Sequence, residues 1–388
     1  MKTLIRNCRI VTPYEVVEAS CVVIDGATIS GIIPETEAGL EDYDLVLDCE
    51  GNYLAPGFID IHNHGNSGSD AMDATPEALD RIARFHLKNG VTGFLGTTMS
   101  QAAREIEAAI SNIVSYIEHR AEGGTPRSKL LGIYLEGPYL SKKRKGAQAE
   151  EYLKDPVLSE LKGLVELAKG YLKVVALAPE LKGALETIKY LTGKGIVVAV
   201  GHTDGTYDQV LAAIEAGVTD TVHLFNGMKE FSHREPGPAG ALLLDERVTC
   251  ELICDGIHLH RAVVDLAVRL KGVGGIVLIS DAMRATGLGD GRFDLGGQEI
   301  IVKEGITRLP TGNLAGSTLT LDRAVYNVMA MAKLPVHEAV RMATLNPAKL
   351  IGVAERMGSI EPGKEANLVV FDEEIRIKKV FLDGRVVS

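Results

Sequence analysis

The chain has 388 residues, which at roughly 150 residues per domain allows two or three domains, or one large α/β barrel with an accessory domain. Hydrophobic residues make up 46% and charged residues 24%, a balance that excludes disordered, collagen-like and coiled-coil chains. Forty-one Lys and Arg against 52 Asp and Glu give a net charge of -11; that field repels nucleic acid and anionic membranes, while a few placed cations in one pocket still admit a small anionic substrate.

The cysteines, Cys8, Cys21, Cys49, Cys250 and Cys254, are odd in number and lack CxxC spacing, so they read as reduced thiols. No apolar run has the length of a signal peptide or of a membrane span, and the expected location is the cytoplasm.

Residues 1–54 hold short β-rich runs separated by turn residues, and the tail repeats that texture, with Asp383-Gly384 as a hairpin signal. Both ends therefore predict one small β-sandwich domain, residues 1–54 and 355–388. Between them, eight apolar strand-like runs begin at Gly57, Val91, Leu130, Lys173, Ile196, Asp220, Cys250 and Ile276. Segments such as PEALDRIARFHLKNG and TYDQVLAAIEAG, with apolar residues at helical spacing and a closing Gly, lie between strands. Thr206 with Gln209 has the form of a capping box. Eight βα units over residues 55–354 predict a (β/α)8 TIM-type barrel, because the polar residues His62, His64, Glu136, His202, His223 and Asp281 all close strands. In a barrel those ends converge on one mouth.

His62 and His64, at i and i+2 on a strand, face the same side. Each candidate alone has a bland reading: paired polar strand-end residues for these two, a salt bridge or cap for Glu136, a hydrogen-bonded core histidine for His202 and His223. Jointly, four histidines and one carboxylate at the same depth suit a divalent transition metal, Zn, Fe, Mn or Co, and not Ca. Five donors suffice for two ions, one held by His62, His64 and Glu136, the other by Glu136, His202 and His223. Asp281 is then placed to take a proton from a metal-activated water and to return it to a leaving group.

His62-x-His64 after Pro56-Gly57-Phe58-Ile59-Asp60, the strand-end Glu136-Gly137-Pro138, Val200-Gly201-His202-Thr203, His223-Leu224-Phe225-Asn226-x-Met228, Asp255-Gly256-x-His258 and Ser280-Asp281-Ala282-Met283 together resemble the amidohydrolase superfamily. Within it the pattern is most similar to the N-acetylglucosamine-6-phosphate deacetylase family, over nearly the whole chain. The resemblance implies metal-dependent deacetylation of N-acetylglucosamine 6-phosphate to glucosamine 6-phosphate and acetate. It assigns Glu136, His202 and His223 as common metal ligands, His62 and His64 as the second-metal pair of the two-metal members, and Asp281 as the catalytic carboxylate.

The same resemblance sets Arg234 against the phosphate, His258 against the substrate, Asn226 and Gly227 against the sugar or phosphate, and Leu314, Ala315 and Gly316 over the acetyl group. Gln148 stands where single-metal members carry a substrate-touching His. The fourth strand lacks the bridging Lys of many relatives, so Glu136 must bridge. A homodimer is implied, with part of the phosphate pocket supplied by the neighbouring chain. The basic run Lys142 to Lys145 reads as solvated or as a lid attracting phosphate. The competing readings are a dihydroorotase-like cyclic-amide hydrolase, disfavoured by the missing Lys, and a barrel retained as a non-catalytic scaffold.

Overall fold

In the computed structural model, which describes residues 1–119 and 124–387, each of the eight apolar runs is a strand. They are β1 (Phe58–Asp60), β2 (Val91–Thr97), β3 (Lys129–Leu135), β4 (Leu172–Leu177), β5 (Val197–Val200), β6 (Asp220–Thr221), β7 (Thr249–Ile253) and β8 (Ile276–Ile279). All pair in parallel with their sequence neighbours, the order expected when every strand returns through a helix. Helix Pro76–Lys88 begins where Thr75 accepts the N–H of Ala78. Helix Tyr207–Ala216 opens on the reciprocal Thr206–Gln209 capping box and ends at Gly217, φ 119°. Local side-chain chemistry thus sets where the helices start and stop.

Among the described residues the ladder does not close between β8 and β1. Side chains and loop backbone close it instead. Asp60 accepts the N–H and the hydroxyl of Ser280 at 3.3 and 2.6 Å, and the N–H of Asp281 donates to His62 O at 3.0 Å. Burial pushes Asp60 up to about 7, opposed by those same hydrogen bonds. The seam therefore runs between two residues of the candidate site.

Strands Lys2–Val11, Val16–Asp25, Thr28–Pro34, Leu45–Asp48 and Tyr53–Pro56 join Leu368–Phe371, Ile377–Leu382 and Arg385–Val386 in one mixed sheet. The two chain ends meet where Tyr53–Pro56 pairs antiparallel with Leu368–Phe371. The sheet curls on itself, Ala27 O accepting from Ala366 N and Ile29 N donating to Lys364 O, and encloses Ile5, Ile24, Leu54, Leu368 and Phe381. The hairpin Asp383-Gly384 adopts the left-handed pair, φ 49° and 76°, that a two-residue turn needs. Pro56 leads within two residues into β1, so the terminal sheet anchors the strand from which His62 and His64 follow; the two lie in the loop just past Asp60 and not on the strand itself as expected.

The sequence reading did not single out a three-stranded antiparallel sheet after β8: Gly291–Leu295, Gln298–Lys303 and Ile306–Arg308. Its Leu295 and Ile300 pack with Met99, Met283 and Ala315 over the mouth. The signal was present in Gly296-Gly297 and Glu304-Gly305, turn dipeptides between alternating runs. No helix among the described residues is long and apolar enough to cross a membrane.

Candidate metal centre

The residues that close β1, β3, β5 and β6 meet at one carboxylate. Glu136 Oε1 lies 3.2 Å from His202 Nε2, 3.3 Å from His223 Nε2 and 3.7 Å from His62 Nε2, and Glu136 Oε2 lies 3.4 Å from His64 Nε2. The donors form two overlapping groups, His62–His64–Glu136 and Glu136–His202–His223, every residue of which is buried. Asp281 Oδ1 stands 3.3 Å from His64 Nε2 and 3.8 Å from His62 Nε2. These atoms floor a cavity of about 270 Å³; His62 lies behind it, fully buried.

Hydrogen-bond partners behind the rings fix their tautomers. His202 Nδ1 faces Arg144 O at 2.8 Å and His223 Nδ1 faces Asn226 O at 3.2 Å; a carbonyl only accepts, so both Nδ1 atoms carry hydrogen and both Nε2 atoms are left as the nitrogens a metal can take. Those Nε2 atoms are 3.1 Å apart, an arrangement that repels unless a cation lies between. Donors about 2.0–2.1 Å from one tetrahedral ion are about 3.3–3.4 Å apart, close to the 3.1, 3.2 and 3.3 Å found among Glu136, His202 and His223. His62 Nε2 is buried without a hydrogen-bond partner among the described residues.

The charges agree. Burial disfavours an imidazolium, yet Glu251, Glu136 and Asp281 raise His62 to about 10, and His64 is raised in the same way by Asp281 and Glu136. Burial likewise disfavours the carboxylates, yet the histidines hold Glu136 and Asp281 below the usual carboxylate range. The pocket is built for positive charge, which protons supply on the bare side chains and a divalent ion supplies when bound. The residues fit a metal.

Three of these residues sit in left-handed backbone: His202 (φ 45°), His223 (φ 26°) and Asp281 (φ 49°). For a residue with a Cβ this costs on the order of 1–3 kcal/mol, and it turns each side chain off its strand into the mouth. Gly227 is required beside them, since a Cβ there would lie 2.8 Å from His202 Nδ1 at φ 60°.

In the segment after Glu136, Lys142 and Lys143 are exposed to solvent, and part of the basic run is also tied to acidic neighbours. Lys143 and Arg144 pair with Asp204 at 3.1 and 2.9 Å, and Lys145 pairs with Glu150. Gln148 accepts from Ser100 N–H at 2.8 Å and donates to Glu136 Oε2 at 2.8 Å. It lines the cavity, but both ends of its amide are engaged by protein.

Asn226, Gly227, His258, Leu314, Ala315 and Gly316 also line the cavity. Asp255 orients His258 by accepting from its Nδ1 at 2.7 Å and its backbone N–H at 2.8 Å. Arg234 does not join them. It is exposed on the 229–236 loop, outside the cavity lining, while Glu235 accepts the N–H groups of Tyr207 and Gly237. His260 caps helix Arg261–Lys271, and all the cysteines are buried and free. Sequence reasoning missed Glu251, a fully buried carboxylate in mid β7 whose Oε2 lies 2.9 Å from His62 Nδ1. A charged residue inside the apolar run CELIC was the available signal.

A β/α barrel whose C-terminal mouth gathers histidines and carboxylates around a site for divalent metal, with a split terminal sheet, defines a metal-dependent amidohydrolase. The amidohydrolase family model matches residues 53–387, and the chain belongs to that family. It is 41% identical to the N-acetylglucosamine-6-phosphate deacetylase of Vibrio furnissii over 86% of this chain and 82% of the relative. To the N-acetylgalactosamine-6-phosphate deacetylase of Escherichia coli O157:H7 it is 40% identical, over 88% and 90%. The crystal structure of N-acetylglucosamine-6-phosphate deacetylase from Pasteurella multocida superimposes with a TM-score of 0.93 at 30% identity, covering 100% of this chain and 99% of that one.

Proposed function

We propose that this enzyme hydrolyses the N-acetyl group of N-acetylglucosamine 6-phosphate, releasing acetate and glucosamine 6-phosphate. The observation that carries the reading is the convergence of four imidazole Nε2 atoms on Glu136, with Asp281 beside them, at the floor of a cavity sized for a small molecule.

Glu136, His202 and His223 would hold one divalent ion, and His62, His64 and Glu136 a second, with Zn, Fe, Mn or Co matching the nitrogen and oxygen donors. When bound, the metal supplies Lewis acidity, which lowers the pKa of water toward ~7 and polarises a carbonyl. Asp281 takes the proton of the attacking water and returns it to the amide nitrogen as the C–N bond breaks, so water divides into the acetate oxygen and the amine hydrogen. Gln148 keeps Glu136 oriented and His258, held by Asp255, faces the sugar. Leu314, Ala315 and Gly316 exclude water above the acetyl group, and Asn226 and Gly227 line its sugar side.

Arg234 binds the phosphate bidentately, and its place outside its own cavity supports a homodimer in which the loop serves the neighbouring site. Phe231 and Leu244, 58% and 65% exposed near that loop, suit such a contact. The cytoplasm, which holds phosphorylated sugars, is the location this reading requires. A second reading, the galacto epimer as substrate, is favoured by the 40% identical relative that carries that name.

Amine release from the gluco and galacto 6-phosphates, from unphosphorylated N-acetylglucosamine and from dihydroorotate, with metal-loaded and chelator-treated protein, tests the proposal. Metal-dependent turnover of a phosphorylated amide is expected. Turnover of dihydroorotate alone, or none on any amide, would overturn it.

A further inference from the structure

The two half-sites differ in what stands behind their histidines. His202 and His223 lean on main-chain oxygens, Arg144 O and Asn226 O, which a side-chain substitution does not remove. His62 leans on a side chain, Glu251, at 2.9 Å, and His64 Nδ1 is buried without a hydrogen-bond partner among the described residues. The same Glu251 Oε2 also accepts the backbone N–H of His223 at 3.0 Å. That bond reaches only the backbone of His223, whose ring keeps its own partner in Asn226 O. An oxygen that already accepts the His223 backbone N–H faces His62 Nδ1 as an acceptor, so Glu251 favours a hydrogen on Nδ1 and leaves Nε2, toward Glu136, as the nitrogen a metal takes. Without that acceptor the ring is free to carry its hydrogen on Nε2, where it covers the lone pair a metal needs.

We infer that Glu251 is a positioning residue that sets the affinity of the His62–His64–Glu136 site, and that this site fills after, and more weakly than, Glu136–His202–His223. The inference rests on the two-ion reading above and deepens it: occupancy of the second position is decided from beneath the pocket, by a residue that touches neither metal nor substrate.

Chelator-stripped protein titrated with Zn²⁺ by calorimetry, and with Co²⁺ while visible absorption is followed, reads both sites without an activity assay. Two events are expected for the unaltered chain. Glu251→Leu, of similar volume, should weaken the second event by about 10–100-fold and leave the first within a few-fold, which also reports a folded variant. Glu251→Gln, whose amide oxygen accepts from both N–H groups, should keep the second event within about tenfold of the unaltered protein. The amide nitrogen falls in the place of Oε1, an atom without a hydrogen-bond partner among the described residues.

Two unchanged events in Glu251→Leu, equal loss of both, or a Glu251→Gln variant as impaired as Glu251→Leu would each overturn the proposal. Should Glu251→Leu fail to fold, Glu251→Gln decides alone, retention of the second event supporting the proposal and its loss refuting it. A single event in the unaltered chain refutes the two-ion reading, and this proposal with it.

Discussion

The terminal sheet and the barrel mouth are both built on β-strands, yet they treat polar atoms and backbone strain in opposite ways. In the sheet, left-handed residues such as Asn7 and Ala19 sit exposed at irregularities between strands, and the enclosed core is Ile5, Ile24, Leu54, Leu368 and Phe381. At the mouth, left-handed backbone falls on buried His202, His223 and Asp281, surrounded by Glu136, Glu251 and Asp220. Burial raises Asp220 well above the usual carboxylate range, with Glu251 adding to the shift. The lesson is a division of labour: regular apolar packing stabilises the chain, and that stability offsets the charge and strain concentrated where chemistry occurs.

The comparison breaks most directly at Asp281. Asp281→Asn keeps the shape and the backbone bonds to His62 and Ser317 but cannot take a proton, so kcat should fall by about 10²–10⁴-fold while metal content stays that of the unaltered protein. Turnover within a few-fold of normal, measured on metal-counted protein, would remove Asp281 from the mechanism.

On the other side, Phe381→Ala opens a cavity in the terminal sheet and should cost about 3–5 kcal/mol of stability in urea unfolding. Turnover per folded, metal-loaded molecule should be unaltered. If kcat fell with stability, the two regions would not be separable.

The smallest effect lies on the border between them. Buried His86 donates from Nε2 to Asn63 Oδ1 at 2.9 Å, beneath the residue between His62 and His64, and burial lowers its pKa from 6.5 to about 3. The unfolded chain binds a proton near pH 6.5 that the folded chain refuses until about pH 3. Its contribution to stability is therefore complete above pH 6.5 and lost as pH falls toward 3, on the order of a few kcal/mol. His86→Gln keeps an N–H for Asn63 without titrating, so its stability should decline less steeply over that window. Parallel pH profiles for the two proteins would rule this out.

Much of the framework was legible because it is written locally. The eight strand runs, the Thr206–Gln209 box and the Asp383-Gly384 turn each need only neighbouring residues to declare themselves, and the strand-end position of His62, Glu136 and His223 foretold a common mouth. The Gly291–Arg308 roof escaped because no element preceding it announced a departure from the βα alternation. Glu251 behind His62, Asp60 across the seam, and Gln148 turned toward Glu136 are pairings between residues 189, 220 and 12 positions apart; spacing along a chain does not encode which side chain supports which. Arg234 carries the same lesson, since a motif locates it in sequence and not relative to a cavity.

The unladdered joint between β8 and β1 gives the barrel a soft line. Because that joint passes between His62 and Asp281, transient parting of the two strands would draw Asp281 away from His62 and His64, which stay tied to Glu136 through the laddered strands β1, β2 and β3. Warming or dilute denaturant should thus quicken amide exchange at Ser280 and Asp281 before exchange within the laddered strands.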